Sequence, residues 1–265
     1  MSFDRDSAGV EAAEAPTSVT TWIILPTYNE IENLPWISEA ILAVLPDATV
    51  LVVDDDSPDG TGRLADELAA NDPRIRVRHR VAKQGLGPAY LDGFGVALAG
   101  RADVIVQMDA DGSHDPTALP SLIRPVLDGD ADLVVGSRYT AGGQVEDWPA
   151  SRRLISRSGS LFARVVLGLR QHDLTGGFKA WRASTLSAIP FDGINAGGYV
   201  FQIEMTYRAS RSGARIREVP ITFRDRVAGK SKMSRRIIVE ALVIVVQLRL
   251  SSFNRKSESG QTDTV

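Results

Sequence analysis

Val104-Ile105-Val106-Gln107-Met108-Asp109-Ala110-Asp111-Gly112-Ser113-His114 is the stretch that decides the fold. A short run rich in β-branched residues reads as a buried strand. Here it delivers two carboxylates, one residue apart, into the loop at its carboxyl end. Four more such runs share the first half of the chain: Trp22-Leu25, Val50-Val53, Ile75-Val77 and Leu133-Val135. Ile31-Leu45, Gly60-Ala70, Pro88-Ala99 and Pro116-Leu127 lie between them with helical spacing. That alternation predicts an α/β fold with a mostly parallel central sheet covered on both faces. In such sheets ligands bind beyond the carboxyl ends of the strands. The loops Pro26-Glu30, Asp54-Gly60 and Asp109-His114 are therefore expected to hold the chemistry.

The chain has 265 residues, enough for one large domain with its own core. Its 30 basic residues against 33 acidic ones produce no overall field that favours nucleic acid. Cysteine is absent, which excludes disulfides, thiolate metal sites and a thiol nucleophile. Met1 to Ser18, with Asp4, Asp6, Glu11 and Glu14, reads as a disordered, solvated tail rather than a signal peptide. Ser251 to Val265 reads as a second disordered tail. No apolar stretch reaches the roughly 20 residues that span a bilayer. The longest, Ile237-Leu250, is interrupted by Glu240, Gln247 and Arg249. The expectation is a cytoplasmic protein, peripheral on the cytoplasmic face of a membrane.

The second half changes character. Leu154-Leu169 sets apolar residues at 154, 155, 161, 162, 165, 166 and 169 against Arg157 and Arg164, as in an amphipathic helix. Residues 151–170 contain five Arg and no acid. Ala214-Phe223 reads as one strand, and Arg224, Arg226, Lys230, Lys232, Arg235 and Arg236 follow with only Asp225 among them. An apolar helix begins at Ile237. C-terminal helices that pair apolar faces with arginine suit a lipid headgroup layer. Ile237-Val246, apolar nearly all round, reads equally well as packing on the sheet. Glu204, inside an apolar helix, reads as the partner of an arginine, and His114 as a loop residue.

Asp109 and Asp111 offer hard oxygen donors of the kind that hold Mg2+ or Mn2+ while leaving positions for phosphate oxygens. A plain strand-to-helix turn, with Asp115 capping a helix at Pro116, explains the same residues. Asp54-Asp55-Asp56 would repel one another unless hydrogen-bonded or facing a ligand. Turn and cap chemistry accounts for some of them, while Asp55 suits a hydrogen bond from a base or ribose. Tyr28 can stack on a nucleobase and Glu30 can accept from it.

Together, Pro26-Thr27-Tyr28-Asn29-Glu30, Val53-Asp54-Asp55-Asp56-Ser57-Pro58-Asp59-Gly60-Thr61 and Asp109-Ala110-Asp111-Gly112-Ser113-His114 resemble the inverting family-two glycosyltransferases. More narrowly they resemble the dolichol-phosphate (polyprenol-phosphate) mannose synthases. The likeness continues through Gly136-Ser137-Arg138-Tyr139, Thr175-Gly176-Gly177-Phe178-Lys179, Phe201-Gln202-Ile203-Glu204, Arg226, Gly229 and Ser231-Lys232. It implies a GT-A, Rossmann-like domain over 19–250, with 19–140 as the nucleotide-sugar half and 141–250 as the acceptor and membrane-interface half. It implies GDP-mannose as donor, a polyprenyl or dolichyl phosphate as acceptor, and a membrane surface or a separate membrane-anchor protein as partner. By resemblance, Pro26, Tyr28, Glu30, Val53 and Asp55 line the guanosine pocket. Asp109, Ala110 and Asp111 meet the diphosphate, Asp111 holds the metal, and Arg226 and Lys232 clamp the diphosphate. Arg138, Arg152 and Ser156 receive the acceptor phosphate. Some members place Gln as a metal ligand where this chain has Ser113, whose hydroxyl or a bound water would substitute.

A phosphate monoester acceptor, with a second pKa of about 6, is already an anion at neutral pH and needs no general base. Glu204 and Asp173 are the acids of the second half closest to such a role. Three rivals remain at this point. They are a glucosyltransferase with a uridine donor, a haloacid-dehalogenase-like phosphatase with Asp109 as nucleophile, and a non-catalytic nucleotide-binding domain.

Overall fold

The computed structural model describes residues 19–194, 198–225 and 242–250. Strands β1 (Thr21–Thr27), β2 (Thr49–Asp54), β3 (Ile75–His79), β4 (Val104–Gln107) and β5 (Leu133–Ser137) occupy the five apolar runs. They alternate with helices α1 (Leu34–Val44), α2 (Thr61–Asn71), α3 (Leu86–Ala99) and α4 (Leu119–Leu127). Beyond these come β6 (Gln144–Val145), α5 (Ala150–Leu167), β7 (Lys179–Arg182), α6 (Ala183–Ser187), α7 (Gly198–Arg211), β8 (Ile216–Pro220) and β9 (Thr222–Phe223). A last helix, α8, covers 242–250. The main sheet runs β3-β2-β1-β4-β7-β5-β8, parallel except for β7, which is antiparallel to both neighbours.

The continuous apolar runs follow from burial on both faces. Along β1, Ile23 and Leu25 join a core with Ile37 and Ile41 of α1 and Leu122 and Val126 of α4. Trp22 and Ile24 point the other way, into a core with Tyr90 and Phe94 of α3 and Phe201 and Met205 of α7. Gly93 lets α3 approach closely, because a Cβ there would stand 2.5 Å from Ile24 Cγ2. Asp115 caps the turn at Pro116 as expected, accepting from Thr117 N at 2.9 Å.

Two expectations change. The single strand over Ala214-Phe223 is two: β8 ends at Pro220, a residue tolerated on this edge strand because Ile221 N rather than position 220 donates to Ser137 O of β5, at 3.1 Å. Past it the chain leaves β5 and pairs with β6 in a separate two-stranded sheet. The C-terminal helix packs on helices rather than on the sheet. Its Val245 and Leu248 meet Ala163 and Leu167 of α5 and Ile203 and Tyr207 of α7. Residues 237–241 of the expected helix lie outside the described residues, as do the two expected tails, 1–18 and 251–265. Among the described residues, no helix is long and apolar enough to cross a membrane.

Strand β7 matters most for the site. Gln107 pairs with Lys179, so the antiparallel strand begins where β4 ends, and its leading turn sits beside Asp109. Lys179 is fully buried, with Nζ donating to Gln202 O at 2.7 Å and Thr206 Oγ1 at 2.9 Å. Burial pushes its pKa down from 10.5 to about 7, against the opposing pull of Asp173. Above pH 7 the unfolded chain therefore binds a proton that the folded chain has shed, and stability rises with pH by up to about 1.4 kcal/mol per unit. Urea unfolding of wild type and Lys179→Met at pH 7, 8 and 9 tests this. The wild type should gain about 1–3 kcal/mol on the variant across that window; a constant difference would mean that Lys179 keeps its charge.

Candidate active site

The loop after β4 is braced from three sides. Tyr90 of α3, fully buried, donates its hydroxyl to Asp109 Oδ1 at 2.8 Å. Burial first, then the Asp109 charge, raises the phenol pKa well above its ordinary value, so the group stays a donor. Phe201 of α7 stacks on the Tyr90 ring with centroids 6.0 Å apart. The Asp109 N–H donates to His114 Nδ1 at 3.2 Å, and the imidazole stacks on Phe178 at 4.9 Å. His114 is thus more than a loop residue. Burial lowers its pKa despite the nearby Asp109 and Asp111, and the neutral ring serves as a spacer.

Asp111 Oδ1 accepts from Ser113 N at 3.1 Å and from Ser113 Oγ at 2.6 Å. A hydroxyl whose proton is committed in this way keeps its lone pairs for a cation. Two carboxylates and a hydroxyl make a hard-oxygen donor set that fits a divalent metal. Among the described residues no group of three or more His, Asp or Glu is arranged to hold one. A cation at Asp109, Asp111 and Ser113 would complete its shell with phosphate oxygens and water, as Mg2+ commonly does.

The residues expected to meet the nucleotide gather at the ends of β1 and β2, where Pro26 pairs in register with Val53. The three adjacent acids have separate fates. Asp54 accepts from Thr27 Oγ1 at 3.0 Å and from Ser57 N and Oγ at 3.1 and 2.6 Å, which makes it a turn residue. Asp55 accepts from Arg80 Nη1 and from the backbone N–H groups of Gln84 and Gly85, at 3.1 and 2.8 Å. Asp55 is thus a carboxylate already oriented by Arg80. Asp56 is exposed, with φ of 60°. Lys83 Nζ lies 3.2 Å from the centroid of the Tyr28 ring, and Glu30 Oε2 accepts from Asn33 Nδ2 at 2.7 Å.

On the other side, Arg138 is buried against Asp173 in a bidentate pair, Nε to Oδ2 and Nη2 to Oδ1, both at 2.7 Å. Burial works against both charges, yet the mutual attraction holds Asp173 low and Arg138 high. Arg152 Nη1 donates to Asp225 at 2.9 Å, and Ser156 Oγ accepts from the Tyr139 hydroxyl at 2.7 Å. A cavity of about 460 Å³ opens here, lined by Arg138, Tyr139, Gln144, Arg153 and Arg157 among others. Arg153 and Arg157 are exposed; the sequence marks the basic residues around 138, 152 and 153 as suited to bringing two anions together, while Arg157 reads from it only as the polar face of its helix. The cavity neighbours the carboxylate loop through Phe223, whose ring centroid is 5.2 Å from Arg138 Cζ and 5.5 Å from the His114 ring. Glu204 pairs with Arg208 at 2.6 Å, in keeping with its expected structural role. Arg226 and Lys232 lie outside the described residues.

Comparisons with known proteins agree on one relationship. The sequence profile of glycosyl transferase family 2 matches residues 22–189. The chain is 52% identical over 229 residues to undecaprenyl-phosphate mannosyltransferase of Micrococcus luteus, covering 86% of this chain and 93% of the relative. It is 47% identical over 244 residues to polyprenol monophosphomannose synthase of Mycolicibacterium smegmatis, covering 92% of each. Among solved structures, glucosyl-3-phosphoglycerate synthase from Mycobacterium tuberculosis, in complex with Mn2+ and UDP-glucose, superimposes with a TM-score of 0.63 at 22% identity. That match covers 88% of this chain and 79% of the other, and establishes the GT-A fold.

The brace on Asp109 is testable. Tyr90→Phe keeps the ring stack but removes a hydrogen bond to a charged group, an interaction of about 1.5–3 kcal/mol. Mn2+ affinity, measured by calorimetry, should fall at least about tenfold while the variant still unfolds cooperatively, at a somewhat lower temperature; wild-type affinity would rule the brace out.

Proposed function

This chain belongs to glycosyl transferase family 2, and from that premise we propose that it transfers mannose from GDP-mannose to a polyprenyl (dolichyl-type) monophosphate with inversion. Family membership removes the phosphatase and non-catalytic readings. The donor's base and ribose lie along Pro26, Tyr28, Glu30, Val53 and Asp55, with the diphosphate at Asp109, Ala110 and Asp111. A divalent cation, Mg2+ or Mn2+, held there would neutralise charge on the leaving diphosphate. Arg226 and Lys232 supply further positive charge to it.

One observation carries the choice of acceptor. Asp173 and Glu204, the acids that could have served as general base, are both engaged by arginines, while the adjacent cavity presents Arg138, Arg153 and Arg157. A site rich in cations suits an acceptor that arrives as an anion and attacks without losing a proton first. Arg138, held by Asp173, forms the cavity wall; Arg153 and Arg157 are the exposed cations that meet the phosphate. Arg152 and Ser156 position the helix around it through Asp225 and Tyr139.

The lipid tail needs an apolar surface beside that cavity. On α5, Leu154, Leu161 and Val165 are 67%, 57% and 72% exposed, one stripe along the helix that bears Arg153 and Arg157. On α8, Val243, Val246 and Leu250 are exposed as well. Such faces, rimmed with arginine, fit the anionic headgroup layer of the cytoplasmic membrane face.

Two experiments decide these points. Purified protein is incubated with labelled GDP-mannose or UDP-glucose, Mn2+ and vesicles containing polyprenyl phosphate, and the lipid phase is extracted. Label should enter the lipid from GDP-mannose; transfer from UDP-glucose alone would overturn the donor. Separately, Leu161→Glu/Val165→Glu should abolish co-sedimentation with anionic vesicles while unfolding at the wild-type temperature. Undiminished sedimentation would remove α5 from the membrane contact.

A further inference from the structure

One buried group in the site has no task in that scheme. Gln202 of α7 is 1% exposed, and its Nε2 has no hydrogen-bond partner among the described residues. Its orientation is dictated from the core. The Trp181 indole N–H can only donate, and it does so to Gln107 Oε1 at 2.7 Å. Gln107 must therefore turn its amide nitrogen outward, and that nitrogen reaches Gln202 Oε1 at 3.4 Å. The Gln202 amide is left with its nitrogen facing away from this relay. The backbone is pinned too, since its carbonyl accepts from Lys179 Nζ at 2.7 Å and Thr206 Oγ1 at 2.9 Å.

What Nε2 faces is the space above Gly177. A Cβ on Gly177 would stand 3.5 Å from Gln202 Nε2 and 3.4 Å from Asp109 Oδ2. The absent side chain keeps open a small polar gap between an amide donor and the carboxylate of the reactive loop. A buried donor without a partner destabilises the folded chain, and an oxygen entering the gap would offset that cost.

We propose that Gln202 is a specificity-determining residue for the donor sugar, its Nε2 donating to the one hexose hydroxyl that enters the gap beside Gly177 and Asp109. The inference rests on the reading that the chain transfers a hexosyl group from a nucleotide sugar. A site built to hydrogen-bond a hydroxyl discriminates strongly against an analogue that lacks it.

The test pairs enzyme and substrate changes. Wild type and Gln202→Leu are assayed with GDP-mannose and its monodeoxy analogues, and GDP affinity is measured alongside. In wild type, one deoxy analogue should lose at least about tenfold in kcat/KM. Gln202→Leu should show a similar loss on GDP-mannose itself and no further loss with that analogue, with GDP affinity within about twofold of wild type. If Gln202→Leu fails to bind GDP or to melt cooperatively, Gln202→Met, which keeps the chain length, replaces it. Equal deoxy penalties in wild type and variant overturn the role of Gln202 alone, as does a variant whose loss falls on acceptor KM. A wild type that transfers nothing from GDP-mannose overturns the functional reading instead.

Discussion

The buried carboxylate of Asp173 joins the two sides of the site. It accepts from the Arg138 backbone N–H at 3.0 Å, from both arms of the same guanidinium, and from Gly176 N at 3.2 Å. Glu218 of β8 fixes it from below by taking the N–H groups of His172 and Asp173, each at 2.9 Å. The end of β5, the middle of β8 and the approach to β7 are thereby tied at one point. Such a pair adds little net stability over an apolar contact of the same shape, yet losing one partner costs about 3–5 kcal/mol. Its contribution is to geometry. It presents Arg138 to the cavity and holds the turn that puts Gly177 beside Asp109.

That arrangement explains why an antiparallel strand sits inside a parallel sheet. In a wholly parallel sheet, every strand beside β4 would bring its carboxyl end to the site. The reversed β7 brings its amino end, and the Thr175-Phe178 turn delivers a glycine next to a carboxylate, where a Cβ would fill the gap in ordinary contact with Asp109 and Gln202. The cost is a buried lysine at the first position of β7, whose amine is satisfied by α7. Sheet direction, helix anchoring and the open gap in the site follow from one reversal.

Much of this was legible in the sequence, for a physical reason. Parallel strands buried on both faces must be continuously apolar, so β1, β2, β4 and β5 announce themselves, and the loops that follow them are found by position. Strand β7 does not, because Lys-Ala-Trp-Arg has no strand signature. Its charged ends are tolerated only through distant partners, such as Val126 O for Arg182 at 2.7 Å. Tyr90 stayed hidden for the opposite reason: it sits within a helix's apolar spacing and reads as core, which in part it is. Gln202 lies in a stretch that carries the family resemblance, but its orientation is set by Gln107 and Trp181 from distant strands, which no local pattern shows. The arginines were visible but their partners were not. Arg138 and Arg152 find carboxylates 35 and 73 residues away, a separation that no local pattern encodes.

Those pairings also divide the labour among the cations. A transfer between two phosphate-bearing reactants must bring like charges together, and the protein has to supply opposing charge without burying it unpaired. Arg138 and Arg80 are paired with Asp173 and Asp55, which makes them fixed walls of nearly neutral groups rather than free charges. Arg153 and Arg157 stand exposed at the cavity rim, on the helix that carries the apolar stripe. Their charge stays solvated until an anion arrives, so it costs the folded chain little while the site is empty. Placing exposed cations on α5 and paired ones in the interior makes full electrostatic assembly of the cavity conditional on an arriving phosphate, and under the proposed membrane contact of α5 that phosphate would come from the lipid side.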